Sequence, residues 1–171
     1  MDTIRELLGA EEQEIASSKL PRWNELPDLE LYMDQVIALI DKYLLAFLKC
    51  SAAGQVTPTM INNYVKMGVI PSPVKKRYSR AHLAYLIMVF ILKQSLSIGE
   101  IDTLFRLQLE TRDISELYDD FCSQQQSMFA EMLNISVSED MPLRDYSLRM
   151  ATLANTCKIL AQRTLRTENK N

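Results

Sequence analysis

The side chains best suited to chemistry fall in two short groups. Thr57, Thr59, Asn62, Asn63 and Lys66 form the first, and Lys75, Lys76, Arg77, Tyr78 and Arg80 the second. An asparagine amide can donate to and accept from one adenine edge in the major groove of DNA, while threonine and lysine reach base edges or phosphates beside it. Lysine and arginine pair with phosphates, which positions a protein on a duplex without reading its sequence. Tyr78 either packs beneath the basic segment or hydrogen-bonds a phosphate, and Arg80 adds a further phosphate contact. The chemistry on offer is recognition of a polyanion.

Nothing comparable supports catalysis. His82 is the single histidine, and its nearest carboxylates in sequence, Asp41 and Glu100, are remote. General acid–base work needs a partner within hydrogen-bond reach. No glycine-rich phosphate loop or nucleophile elbow is present. Cys50, Cys122 and Cys157 are far apart and lack metal-ligand spacing, so they read as buried or half-buried apolar positions in a reducing compartment. The expectation is a protein that is not an enzyme and needs no metal or cofactor.

Charge is segregated along the chain. Residues 1–41 hold 3 basic and 10 acidic side chains, and residues 100–171 hold 8 basic and 12 acidic. Between them, residues 42–99 hold 8 basic side chains and no carboxylate, although the whole chain carries a net charge of -3. Such a stretch makes a positive face that attracts a polyanion.

The elements that position these residues can be read from periodicity and caps. Hydrophobic residues make up 47% of the chain, enough for a real core, and long stretches lack strand-like alternation. The expected fold is all-α. Residues 1–16 suit a short amphipathic helix, and residues 17–28, with Pro21 and Pro27, read as a linker ending in Asp28 as an N-cap. A helix follows over residues 29–50, with Tyr32, Val36, Leu39, Ile40, Tyr43 and Phe47 on one apolar stripe. Small Cys50 and Gly54 suit the turn of a helix-turn-helix. Thr57-Pro58 starts a second helix that stops at Gly68, with Met60, Ile61 and Tyr64 facing inward. Pro71 and Pro73 keep residues 72–78 extended, as a two-stranded ribbon or a bare loop. Ser79 caps a helix over residues 80–94, and Ser97 with Glu100 makes a capping box for the next.

Two longer helices are expected over residues 113–133 and 141–166. In the last, Leu143, Tyr146, Met150, Leu153, Cys157 and Leu160 repeat at alternating gaps of three and four, a coiled-coil-like seam. It suits packing within one chain or pairing between two chains. The organisation read from these patterns is an N-terminal extension over residues 1–28, a DNA-binding domain over 29–105 and a C-terminal helical hairpin over 106–171.

The run Val56-Thr57-Pro58-Thr59-Met60-Ile61-Asn62-Asn63-Tyr64-Val65-Lys66-Met67-Gly68-Val69-Ile70-Pro71 resembles the recognition-helix region of MerR-type regulators. Arg77-Tyr78-Ser79-Arg80-Ala81-His82-Leu83 resembles the exit from their wing, and Leu96-Ser97-Ile98-Gly99-Glu100-Ile101 the helix start that follows. More closely, residues 26–101, opening with Leu26-Pro27-Asp28-Leu29-Glu30-Leu31-Tyr32, resemble the bacterial family called domain of unknown function 1836, commonly grouped with MerR-like proteins. The resemblance implies a winged helix-turn-helix in a bacterial, cytoplasmic protein. Asn62-Asn63-Tyr64 replaces the Arg-Tyr-Tyr usual in MerR recognition helices, and the usual wing glycine is missing, so base preference does not carry over.

These readings point to a transcriptional regulator that places residues 58–67 in the major groove of double-stranded DNA and residues 72–80 on its phosphates. A homodimer joined through the 143–160 seam is expected, and an unidentified small-molecule effector is a further candidate partner. The alternative is a protein-interaction module that kept a winged fold without binding DNA. The N-terminal residues Asp2, Glu6, Glu11, Glu12 and Glu14 do not suit a secretory signal. The longest apolar run, residues 83–92, is short of the ~20 residues that span a membrane.

Overall fold

The computed structural model describes residues 19–48, 56–138 and 141–168. Among them are six α-helices and no strands. They are α1 (Met33–Leu48), α2 (Pro58–Lys66), α3 (Arg80–Leu92), α4 (Ile98–Leu109), α5 (Ile114–Ser138) and α6 (Leu143–Glu168), preceded by one 3-10 turn, Trp23–Glu25. The helix expected over residues 1–16 and the turn at Cys50 and Gly54 lie outside the described residues. The chain divides into two compact units, Leu20–Cys122 and a second built on Ser123–Asn171.

In the first unit α3 is the central helix. Its sequence is apolar on every side, so it must be covered on every side, and Leu83, Ala84, Leu86, Ile87, Met88, Val89 and Phe90 are all buried. The helix α1 packs on α3 and α2, burying Val36, Ile40 and Leu44. These lie four residues apart, which places them on one face. α2 contributes Ile61 and Tyr64, and the Tyr64 ring meets Phe90 edge-on at 5.7 Å. α4 contributes Ile101 and Phe105, with Phe105 edge-on to Tyr85 at 5.4 Å.

Two expectations at the N-terminal side are corrected. The helix begins at Met33 rather than residue 29, so Asp28 is not its cap and Tyr32, expected on the apolar stripe, is exposed. Residues 20–26 are an anchored strap rather than a free linker. Leu20 and Leu26 are buried, and three polar contacts tie the strap to α5. Arg22 Nη1 donates to the Asp119 carbonyl at 2.7 Å, Trp23 N donates to Asp119 Oδ1 at 2.7 Å, and buried Tyr118 Oη donates to the Pro21 carbonyl at 2.7 Å. Proline has no N–H to give a helix, but its carbonyl serves here as an acceptor.

The caps follow the expected logic. Thr57 Oγ1 accepts from Met60 N at 3.3 Å, and Asp41 Oδ1 on α1 accepts from Val56 N at 3.3 Å, fixing the start of α2 against α1. After α2, Gly68 takes φ +77°, and Val69 N donates to the Tyr64 carbonyl at 3.1 Å. That left-handed turn is open to glycine at no steric cost. At α4, Ser97 N donates to Glu100 Oε2 at 2.8 Å and Glu100 N to Ser97 Oγ at 3.3 Å.

At α3 the side chain that reaches back is His82. Its Nδ1 accepts from Ser79 N at 3.0 Å and lies 2.8 Å from Ser79 Oγ. Its ring is buried edge-on against Tyr78, and Nε2 faces the Pro71–Ser72 backbone without a well-formed hydrogen bond.

The second unit differs in character. Along α6, residues 151–160 are exposed, and so are Leu143 and Leu148. Cys157 is exposed too, against the expectation of burial, whereas Cys122 on α5 is buried and carries a thiol pushed up to about 11 by that burial. No described helix is long and apolar enough to cross a membrane.

Burial also lowers the pKa of His82 below its ordinary 6.5. Protonation would put a proton on the nitrogen that caps α3. The neutral imidazole is therefore the folded form, and the unfolded chain takes up the proton first. We expect stability to be complete above about pH 6.5 and to fall as pH drops from there toward the lowered folded value. His82→Gln keeps an acceptor at the capping position but does not titrate. Denaturant titrations at pH 8 and pH 5.5 check this: the wild type should lose more stability than the variant, and equal losses would contradict it.

Candidate nucleic-acid interface

α2 is short, and packing decides its orientation. Ile61 and Tyr64 face the core, leaving Thr57, Thr59, Asn62, Asn63 and Lys66 exposed. The Thr57 hydroxyl is committed to the cap. Asn62 and Asn63 have no side-chain partner among the described residues. Asparagine is a poor interior helix residue because its amide competes for the backbone, so two in succession on an exposed face cost local stability. In return they offer four donor and acceptor groups to solvent.

The second group is built around a tight turn. The Val74 carbonyl accepts from Arg77 N at 2.9 Å, and Lys75 and Lys76 hold φ angles of 49° and 63°. Two positive φ angles in a two-residue loop are the signature of a type I′ turn, a place usually filled by Asn-Gly. Lysine has no such preference, so each pays the left-handed cost of about 1 kcal/mol. Both side chains are exposed.

Of the two forms expected, a two-stranded ribbon or a bare loop, the segment is nearer the loop, with this turn and one further contact. Val74 bridges Arg77, and Leu31 bridges Tyr78 through Leu31 N to the Tyr78 carbonyl at 2.8 Å and Tyr78 N to the Leu31 carbonyl at 2.9 Å. No strand forms, for a visible reason. The next rung of a hairpin would use Ser79 N, which is given instead to His82 Nδ1 at the start of α3.

Not every predicted residue is available. Tyr78 is buried against His82 and is part of the core rather than the exposed surface. Burial raises its phenol pKa above 10.0. Arg80 Nη2 lies 3.5 Å from Asp28 Oδ2, with its guanidinium 5.7 Å from the Trp23 ring. Arg77 Nη2 donates to Tyr32 Oη at 2.8 Å, its guanidinium lies 4.6 Å from the Tyr32 ring centre, and Nε is 4.0 Å from Glu30 Oε2. Of the second group, Lys75 and Lys76 are exposed, Arg77 and Arg80 are half-buried beside carboxylates, and Tyr78 is buried; the five residues of the first group share the exposed side of α2 and its cap.

Sequence reasoning missed Trp23, Asp28, Glu30 and Tyr32 as neighbours of the basic segment. No local signal could have found them, since they arrive through the Leu31–Tyr78 pairing. Among the described residues no group of histidine, cysteine, aspartate and glutamate could hold a metal ion.

The turn strain is testable. Lys75→Asn with Lys76→Gly installs residues that accept positive φ; relief at both positions, offset by the greater freedom of glycine in the unfolded chain, should give a net gain of roughly 1 kcal/mol in unfolding free energy. Loss of stability by denaturant titration would contradict the turn geometry.

No curated protein and no solved structure matches the chain. One family model does, over residues 21–121, more than half the chain and nearly the same span as the compact unit Leu20–Cys122. The chain belongs to the family described as Domain of unknown function (DUF1836).

Proposed function

We propose that this protein is a DNA-binding transcriptional regulator with a MerR-like helix-turn-helix. In this reading α1 and α2 are the paired helices, α2 enters the major groove, and the Val74–Arg77 turn stands where a wing would reach the phosphates. The observation that carries it is the outward side of α2. Thr59, Asn62, Asn63 and Lys66 are exposed there, on a helix that is capped, packed through Ile61 and Tyr64, and set in a stretch without carboxylates. A buried inner face makes the outer face rigid, and rigidity is what side-chain readout of base edges requires.

A homodimer belongs to the same proposal. Leu143, Leu153, Cys157 and Leu160 are exposed at seam spacing on α6, and a second copy would cover them. Two-fold pairing would match two-fold related half-sites.

A protein-interaction module is the second reading. Arg77 and Arg80 already lie within ion-pair distance of carboxylates, as they would on an acidic protein partner.

Binding to a pool of random-sequence duplex DNA across a salt series separates the two. We expect a recurring motif to be selected and affinity to fall steeply with salt. Lys75→Ala with Lys76→Ala should weaken binding to all sequences and reduce the salt slope by about 2. Asn62→Ala with Asn63→Ala should abolish motif selection and leave the salt slope unchanged. Absence of binding at low salt would overturn the DNA reading and favour the interaction module.

A further inference from the structure

Two carboxylates sit where phosphates would be expected. Asp28 and Glu30 are well exposed, at 85% and 61%, yet each lies against an arginine of the basic segment. Arg80 is only 19% exposed and Arg77 41%. A carboxylate presents to a guanidinium the same paired oxygens that a phosphate does. The arginines are also held from their other sides: Tyr32 accepts from Arg77 and lies against its guanidinium, and Trp23 flanks that of Arg80. Acid and aromatic therefore do different jobs here. The aromatic rings flank each guanidinium, and each carboxylate stands beside it as an ion pair, at 3.5 Å for Arg80 and 4.0 Å for Arg77, without a direct hydrogen bond.

We infer that Asp28 and Glu30 are built-in phosphate surrogates that mask Arg80 and Arg77 in the free protein, and that a nucleic-acid backbone binds by displacing them. This inference rests on the DNA reading above. It adds Asp28, Glu30 and Tyr32 to the residues that set affinity. The exchange is feasible because exposed ion pairs of this kind are weak, while a phosphate backbone brings many charges and releases counterions as it binds. It also gives selectivity. A ligand with one or two phosphates gains little by displacing a carboxylate already in place, whereas a duplex meets both arginines and the Lys75–Lys76 turn together. The aromatic contacts need not break, so Tyr32 is a positioning residue for Arg77 in both states.

The test is a double-mutant cycle read by binding of a random-sequence duplex at low salt. Glu30→Gln should tighten binding about threefold, and should do nothing when Arg77 is already alanine. Tyr32→Leu should weaken binding, again only with Arg77 present. Asp34→Asn removes the same charge from the first turn of α1 and should give less than Glu30→Gln.

An equal gain from Glu30→Gln in both backgrounds would reduce the effect to general electrostatics and overturn the inference. So would no gain from a wild type that binds DNA, and in that case the DNA reading stands. Binding seen only after Asp28→Asn with Glu30→Gln would mean complete masking and support the inference. No binding by either protein would remove the DNA reading and the inference together. Thermal unfolding of each variant separates these outcomes from misfolding, because a folded variant keeps one cooperative transition.

Discussion

Leu31 and Tyr78 exchange two backbone hydrogen bonds, and both side chains are buried. That single antiparallel pair sets the register of everything around the basic segment. Because it is fixed, Tyr32 lands beside Arg77, Glu30 within reach of the same guanidinium, and Tyr78 against His82. It also determines which groups are left over. Tyr78 turns inward with its phenol, and Lys75 and Lys76 are carried outward on a turn only two residues long. Pairing between segments so distant in sequence carries a loop-closure cost. The cost is met by burial of Leu31, Tyr78 and Leu26 together with the ties between the strap and α5.

The same contacts explain why the basic segment is neither helix nor strand. His82 captures Ser79 N to begin α3, and this stops the hairpin ladder after one rung. The segment between Gly68 and Ser79 is consequently held at both ends, by the glycine turn after α2 and by the imidazole cap of α3. A short, pinned loop tolerates backbone strain that a free one would release. Lys75 and Lys76 sit at that strained point, where residues chosen for stability alone would differ.

Much of this was legible in the sequence, but not evenly. Thr57-Pro58 and Gly68 bracketed α2 because caps and left-handed turns are local chemistry. The apolar run over residues 83–92 identified a buried helix because nothing in it could face water. Ser97 with Glu100 gave the next helix start for the same local reason. What escaped was the part made by distant pairing. Tyr32 fits an apolar stripe by spacing, yet Leu31 is drawn into pairing with Tyr78 and the helix cannot begin before Met33. Arg80 reads as a phosphate contact by composition, and only the fold brings Asp28 to it. The positive φ angles at Lys75 and Lys76 had no glycine or asparagine to announce them. The outward face of α2 was readable by counting positions, since Ile61 and Tyr64 are three apart.

In the proposed DNA complex, α2 and the Lys75–Lys76 turn would meet the same duplex. Amide hydrogen exchange, measured with and without a saturating random-sequence duplex, tests it most directly because it reads each segment separately. Slowed exchange is expected over residues 57–67 and 72–80 together, with α6 unchanged at constant oligomeric state. Slowing confined to residues 143–168, or absent from both predicted segments while DNA is bound, would contradict it.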